Sequence, residues 1–236
     1  DFIFICERLD FKNLKNSNFN TFLQKLIPKY KQKLSGQIYT PDKVAKFMVN
    51  LCITSIDQKI LDPACGCGVF LENAFDRLKI LNNQEQKPIS NTEIFHNLWG
   101  VEIEEFPAHL SMMKLVMNEP AVVHSEAGII IEDFLDLGPL QKYMVRTKDL
   151  QTGKIISQEM PHKFETIIAN PPYIKQEKIP NKKRIFKQIP IYAAYRKENI
   201  YSENLKNIPS KIRLNLSAKT DYYGLFLWYS YFFLKK

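Results

Sequence analysis

The segment Leu61-Asp62-Pro63-Ala64-Cys65-Gly66-Cys67-Gly68-Val69-Phe70-Leu71 decides the fold. A short apolar run, Lys59 to Leu61, reads as a buried strand, and a helical pattern from Phe70 to Leu81 follows an acid and a turn of small residues. The chain has eight glycines, and two of them fall in this turn, where a missing side chain lets backbone approach a ligand closely. The two glycines alone would fit an ordinary strand-to-helix turn equally well. Cys65 and Cys67 do not read as a metal site, because Cys6 and Cys52 are solitary and no histidine pair has ligand spacing. No metal is expected.

Outward from this turn, three more runs of the same kind occur: Leu98 to Val101, Ile129 to Ile131 and Phe164 to Ala169, each ending in polar or glycine residues. A helical stretch from Pro107 to Met117 follows the second run. Alternating strands and helices make the expected fold α/β, a doubly wound and mostly parallel sheet. Ahead of the first strand, Thr40 is placed to cap a helix from Pro41 to Thr54 with Val44, Phe47, Met48 and Leu51 as its apolar stripe. Residues 1–35 read as a helical lead-in, and the main domain runs from 36 to 236. Asn82 to Asn97 is polar and reads as a surface loop, while Lys142 to Pro161 reads as an insertion or hairpin. A last helix, Asp221 to Leu234, is apolar almost all round and needs cover on nearly every side.

Composition narrows the class. With 236 residues, 45% hydrophobic and 25% charged, the chain suits a globular domain rather than a disordered, collagenous or membrane protein. Its longest apolar run, Tyr222 to Leu234, is too short to span a bilayer, so no membrane partner is expected. Four cysteines make no disulfide scaffold, which points to a reducing compartment. The formal charge of +8 is local: residues 174–220 hold 12 Lys and Arg, three Glu and no Asp, a net of +9, and the rest of the chain sums to −1. Lys182, Lys183 and Arg184 lie in that stretch and are candidate nucleic-acid contacts. A start at Asp1 and an end at Lys236 directly after an apolar helix lead us to expect a piece of a longer protein.

Each strand ends in a residue with chemistry. Asp62 closes the first. Glu102 with Ile103 closes the second, where a nucleotide ribose is gripped through its hydroxyls, although Glu102 also reads as a solvated helix start. Asp133 and Phe134 follow the third, as partners for an adenine amino group and ring; a plain helix cap fits Asp133 as well. The fourth ends in Asn170-Pro171-Pro172-Tyr173. Two prolines remove two donors and hold the chain extended, so the Asn170 amide and the proline carbonyls present fixed acceptors beside an aromatic face. A planar ring bearing an amino group needs that arrangement.

Asn170-Pro171-Pro172-Tyr173 after Phe164 to Ala169, with Asp62 to Gly68 upstream, resembles the S-adenosylmethionine-dependent adenine-amino DNA methyltransferases. Gly36-Gln37-Ile38-Tyr39-Thr40-Pro41 precedes the glycine turn and Asp221-Tyr222-Tyr223-Gly224-Leu225-Phe226 opens the last helix, an order similar to the gamma group, including TaqI and Eco57I-like enzymes and type I and IIG restriction methylases. The resemblance implies a class I methyltransferase sheet, S-adenosylmethionine as cofactor, double-stranded DNA with a flipped adenine as partner, and a prokaryotic cytoplasmic setting. It implies that Asn170, Pro171, Pro172 and Tyr173 are catalytic. Tyr39, Thr40, Pro41, Asp62, Ala64, Cys65, Gly66, Glu102, Ile103, Asp133 and Phe134 would hold the cofactor. It also implies that the domain is truncated after helix 221–234, with the last strands of the sheet and a target-recognition domain or specificity subunit outside this chain. A methyltransferase of a protein glutamine, which carries the same Asn-Pro-Pro-Tyr, a ribosomal RNA methylase and a non-catalytic remnant are the alternatives. The Tyr39-Thr40-Pro41 segment and the basic stretch weigh against the first.

Overall fold

The computed structural model describes residues 39–118, 128–138, 142–148, 155–174 and 221–235. The lead-in over 1–35, the boundary at residue 36, Lys182, Lys183, Arg184 and nearly all of the basic stretch lie outside the described residues. The order of elements is α1 (Asp42–Cys52), β1 (Ile60–Asp62), α2 (Val69–Asn82), α3 (Asn91–His96), β2 (Leu98–Glu102), α4 (Glu105–Asn118), β3 (Gly128–Ile131), a 3-10 turn (Phe134–Asp136), β4 (Met144–Lys148), β5 (Ile155–Glu159), β6 (Thr166–Ile167) and α5 (Tyr222–Ser230).

Four strands form a parallel sheet in the order β3-β2-β1-β6. Ile60, Leu61 and Asp62 pair with Leu98, Trp99 and Gly100, and on the other side Ile60 and Leu61 pair with Thr166 and Ile167. Side chains alternate between the two faces, as the period of a strand requires. Ile60, Leu98, Ile129 and Ile168 join a core with Ala45, Val49, Phe70, Phe75 and Phe95. Leu61, Trp99 and Val101 join the opposite core with Phe134, Leu225, Phe226, Tyr229 and Phe233. With both faces covered, the strands are apolar runs rather than polar-apolar alternations. The doubly wound sheet follows from that.

Four details differ from the sequence reading. Helix α1 buries Ala45 and Val49, while Phe47 and Leu51 are 65% and 64% exposed and Val44 is also exposed. Small residues let α1 close on α2, a contact fixed where Asn73 Nδ2 donates to Asp42 Oδ1 at 2.9 Å. Thr40 does not cap α1: Pro41 takes that position, with its carbonyl accepting from Val44 and Ala45 N–H. The polar stretch Asn82 to Asn97 contains α3, started by a reciprocal Ser90–Glu93 capping box and anchored by buried Ile94 and Phe95, the latter stacked on Phe75 at 4.5 Å. Finally α5 stops at Ser230, and Leu234 makes a parallel bridge with Phe164, flanked by Phe164 N–H to Phe233 O at 2.8 Å and Lys235 N–H to Phe164 O at 2.7 Å. The chain after α5 therefore lies beside the strand that leads to Asn170. Helix α5 is covered on one side only, since Tyr223 and Leu227 are exposed. Between β3 and β6, β4 and β5 form the antiparallel hairpin expected over 142–161.

Candidate active site

Parallel strands place all their carboxyl ends on one edge, where the side chains singled out in the sequence collect. At the tip of β1, Asp62 is buried, and its Oδ1 accepts from Ala64 N–H at 3.1 Å. The turn that follows uses the left-handed region twice, at Gly66 (φ 51°) and Gly68 (φ 78°). A Cβ on Gly68 would fall onto the Ser111 hydroxyl of α4, whereas one on Gly66 would meet nothing within 4 Å. Gly68 is needed for packing and conformation; Gly66 leaves bare backbone with open space beside it.

Glu102 at the tip of β2 is committed to that turn. Its Oε2 accepts from Gly66 N–H at 2.9 Å and its Oε1 from Glu104 N–H at 3.0 Å. Burial raises its pKa, and the N–H donors of Glu104 and Gly66 pull the other way. Asp62 is pushed up to about 8, first by burial and then by the charge of Glu102, against the Ala64 N–H. Asp62 Oδ2 is buried with no hydrogen-bond partner among the described residues. Two carboxyl groups thus share a desolvated edge, and the one with fewer donors holds its proton at neutral pH.

Asp133 accepts from Leu135 N–H at 3.0 Å and starts the 3-10 turn, the capping role that the sequence leaves open. Phe134, expected against an adenine ring, packs into the core. It is 1% exposed, with Phe226, Tyr229 and Phe233 centred 5.2–5.4 Å from its own ring, so its faces serve the core. Ile103, at 59% exposed, and Tyr39 are among the exposed apolar side chains, and Pro41 is exposed next to Tyr39 in the chain.

At the tip of β6, Asn170, Pro171 and Pro172 are half-buried and Tyr173 is exposed. Asn170 Nδ2 donates to Thr40 Oγ1 at 3.0 Å across 130 residues of sequence. Tyr173 stacks on Tyr223 of α5 with ring centroids 6.0 Å apart and planes inclined by 26°. From sequence Tyr223 stands in the motif that opens the last helix and has no site role assigned; the doubled tyrosine is the available signal. A buried ion pair under the glycine turn, Lys114 Nζ to Glu72 Oε2 at 3.8 Å, is also beyond sequence reasoning, since helical periodicity gives no sign of it. Among the described residues, no group of three His, Cys, Asp or Glu could hold a metal, and no helix is long and apolar enough to cross a membrane.

The parallel order, the glycine turn between β1 and α2 and the acid at the tip of β2 define the class I methyltransferase fold. The methyltransferase subunit of a type I restriction-modification system from Streptococcus thermophilus shares it, with a TM-score of 0.51 at 21% identity over 84% of this chain and 32% of that one. Within that class the chain belongs to the N-6 DNA Methylase family, whose profile matches residues 16–202. It is 33% identical over 84 residues to the type I restriction enzyme EcoEI methylase subunit of Escherichia coli, covering 36% of this chain and 17% of that one. It is 34% identical over 100 residues to the type I restriction enzyme MjaVII methylase subunit of Methanocaldococcus jannaschii, 42% of this chain and 15% of that one. The chain therefore spans about a sixth of the length of these two relatives.

Proposed function

We propose that this chain carries the catalytic core of an adenine-amino DNA methyltransferase that uses S-adenosylmethionine within a restriction-modification system. The observation that carries the reading is Asn170-Pro171-Pro172-Tyr173 at the tip of β6, on the same sheet edge as the glycine turn of the adjacent strand β1. The edge fits the cofactor: bare backbone at Gly66 admits close approach, and Glu102 places a carboxyl group beside that turn. Tyr39, Thr40, Pro41, Asp62, Ala64 to Gly66, Glu102, Ile103 and Asp133 would hold it, with Phe134 next to Asp133 in the chain.

S-adenosylmethionine, when bound, supplies an electrophilic methyl on a sulfonium. Asn170 and the carbonyl of Pro171 accept the two amino hydrogens of the target adenine, which turns the nitrogen lone pair out of conjugation with the ring. That lone pair would face the methyl carbon, so that transfer would form the N–C bond as the S–C bond breaks and would release one amino proton to water. Tyr173, exposed and beside Asn170, offers the stacking face that a base extruded from the duplex requires. These groups position and stabilise; none acts as a nucleophile. The reading is tested with methyl-labelled cofactor, full-length protein and DNA lacking N6-methyladenine. Label recovered as N6-methyladenine is the expected result, and label in protein glutamine or in ribosomal RNA would replace the reading.

A further inference from the structure

Resting on the reading of Tyr173 as the platform for the target base, we infer that Tyr223 at the start of α5 is a positioning residue for that base. Its ring backs one face of the Tyr173 ring, and the base stacks on the other. Pro171 and Pro172 fix the backbone that leads to Tyr173. They leave its side-chain torsions free, and a ring that is 51% exposed exchanges rotamers readily unless a neighbour holds it. The Tyr223 ring lies against it, with centroids 6.0 Å apart and planes inclined by 26°. Aromatic pairs at this range attract one another.

Tyr223 is mounted to do this. It stands in the first turn of α5, a helix fixed to the core through buried Leu225, Phe226 and Tyr229. Tyr223 itself is 43% exposed, so core packing does not account for an aromatic at this point. The separation of the rings also decides which side the base takes. Bases stack about 3.4 Å apart, so a base between two rings needs their planes ~7 Å apart. Near-parallel planes whose centroids are 6.0 Å apart are separated by no more than that distance. The base would therefore add to the far face of Tyr173. The three rings would form one column in which Tyr223 acts on the base only through Tyr173.

The test uses full-length protein, with single-turnover methylation of unmethylated DNA and fluorescence of 2-aminopurine at the target position as a measure of base extrusion. Tyr223→Ala should lower the methylation rate by about threefold to tenfold, the fold-change that one aromatic pair represents, and lower extrusion with it. Tyr223→Leu, which keeps apolar bulk on the helix but no flat ring, should lose as much, and Tyr223→Phe should match wild type. In the Tyr173→Ala background Tyr223→Ala should add nothing, because its partner is already gone. Thermal melting near that of wild type reports that each variant is folded. Wild-type rate and extrusion in Tyr223→Leu, or a Tyr223→Phe enzyme as slow as Tyr223→Ala, overturns the proposal. So does a Tyr223→Ala loss that persists in full in the Tyr173→Ala background, which would put Tyr223 against the base itself or in the general support of α5. A Tyr173→Ala enzyme with wild-type rate would overturn the reading of Tyr173 and this inference with it. Wild-type protein that methylates no adenine would overturn the function, an outcome distinct from all of these.

Discussion

The two ends of the proposed catalytic edge are built in opposite ways. At β1 and β2 the polar groups are sunk beneath the surface, and Glu102 is bonded to backbone N–H groups of two turns. At β6 the polar groups stand half out of the protein, and Tyr173 is 51% exposed and stacked on another exposed tyrosine. A cofactor of fixed shape suits a rigid, desolvated cradle in which backbone does the binding. A base that arrives from a duplex needs an open platform. The contrast assigns backbone conformation to the first region and individual side chains to the second, so substitutions should separate them.

The largest effect is expected at the open end. Asn170→Ala should slow methyl transfer by about 100-fold to 1000-fold, the usual cost of removing a fixed polar group from a reacting centre. Cofactor affinity should stay near the wild-type value, as checked by single-turnover kinetics alongside calorimetry. A variant retaining more than a tenth of the wild-type rate would erase the proposed division.

At the cradle the effect should appear in folding. Gly68→Ala forces a side chain into the left-handed region and onto the Ser111 hydroxyl, so it should cost more than the roughly 1–2 kcal/mol of the backbone strain alone. Gly66→Ala meets open space and should cost only that strain. Urea unfolding of the two variants measures the difference, and equal losses would show that Ser111 yields.

The carboxyl pair gives a pH-dependent effect. Asp62 is pushed up to about 8 in the folded protein, from an ordinary value of 3.8. Between those pH values the folded state binds more protons than the unfolded one, so the contribution of Asp62 to stability falls as pH rises, by up to about 1.4 kcal/mol per pH unit. Asp62→Asn should flatten the fall in urea midpoint between pH 5 and 8. A wild-type midpoint that rises with pH across that window would contradict the picture of a protonated Asp62.

The smallest effect belongs to the basic stretch. Neutralising Lys182, Lys183 and Arg184 should weaken DNA binding and reduce its salt dependence by up to about 0.9 log unit for each phosphate that is no longer neutralised, read from affinity at several salt concentrations. An unchanged slope would mean that these charges only keep the surface solvated.

What could be read from the sequence follows from what each element needs. Strands buried on both faces are short apolar runs, so all four strands of the parallel sheet were legible, as was the glycine turn, which demands positive φ. The polar tips were legible too, because Asp62, Glu102, Asp133 and Asn170 each follow such a run. Their partners were not. Whether Phe134 faces a ligand or the core depends on α5, nearly 90 residues away in the chain. Helix α3 was hidden because four of its six residues are polar; two buried side chains and a capping box were enough. The Thr40–Asn170 bond joins residues 130 positions apart, a separation at which no periodicity carries information.

The bridge between Phe164 and Leu234 also bears on how the protein comes to be made. Strand β6 finds its partner β1 across 106 residues of chain, and its opposite neighbour lies 70 residues further on. Contacts closed over such distances form late, and synthesis runs from the amino terminus. On a ribosome the glycine turn, β1, α2 and β2 emerge before any residue that flanks β6 on its outer side. The turn and the first strands can therefore consolidate early, and the outer side of β6 closes last, when Lys235 N–H reaches the carbonyl of Phe164 and Lys235 Nζ reaches Glu165 at 2.7 Å. The order of assembly leaves the outer side of β6 to be covered after the rest of the sheet.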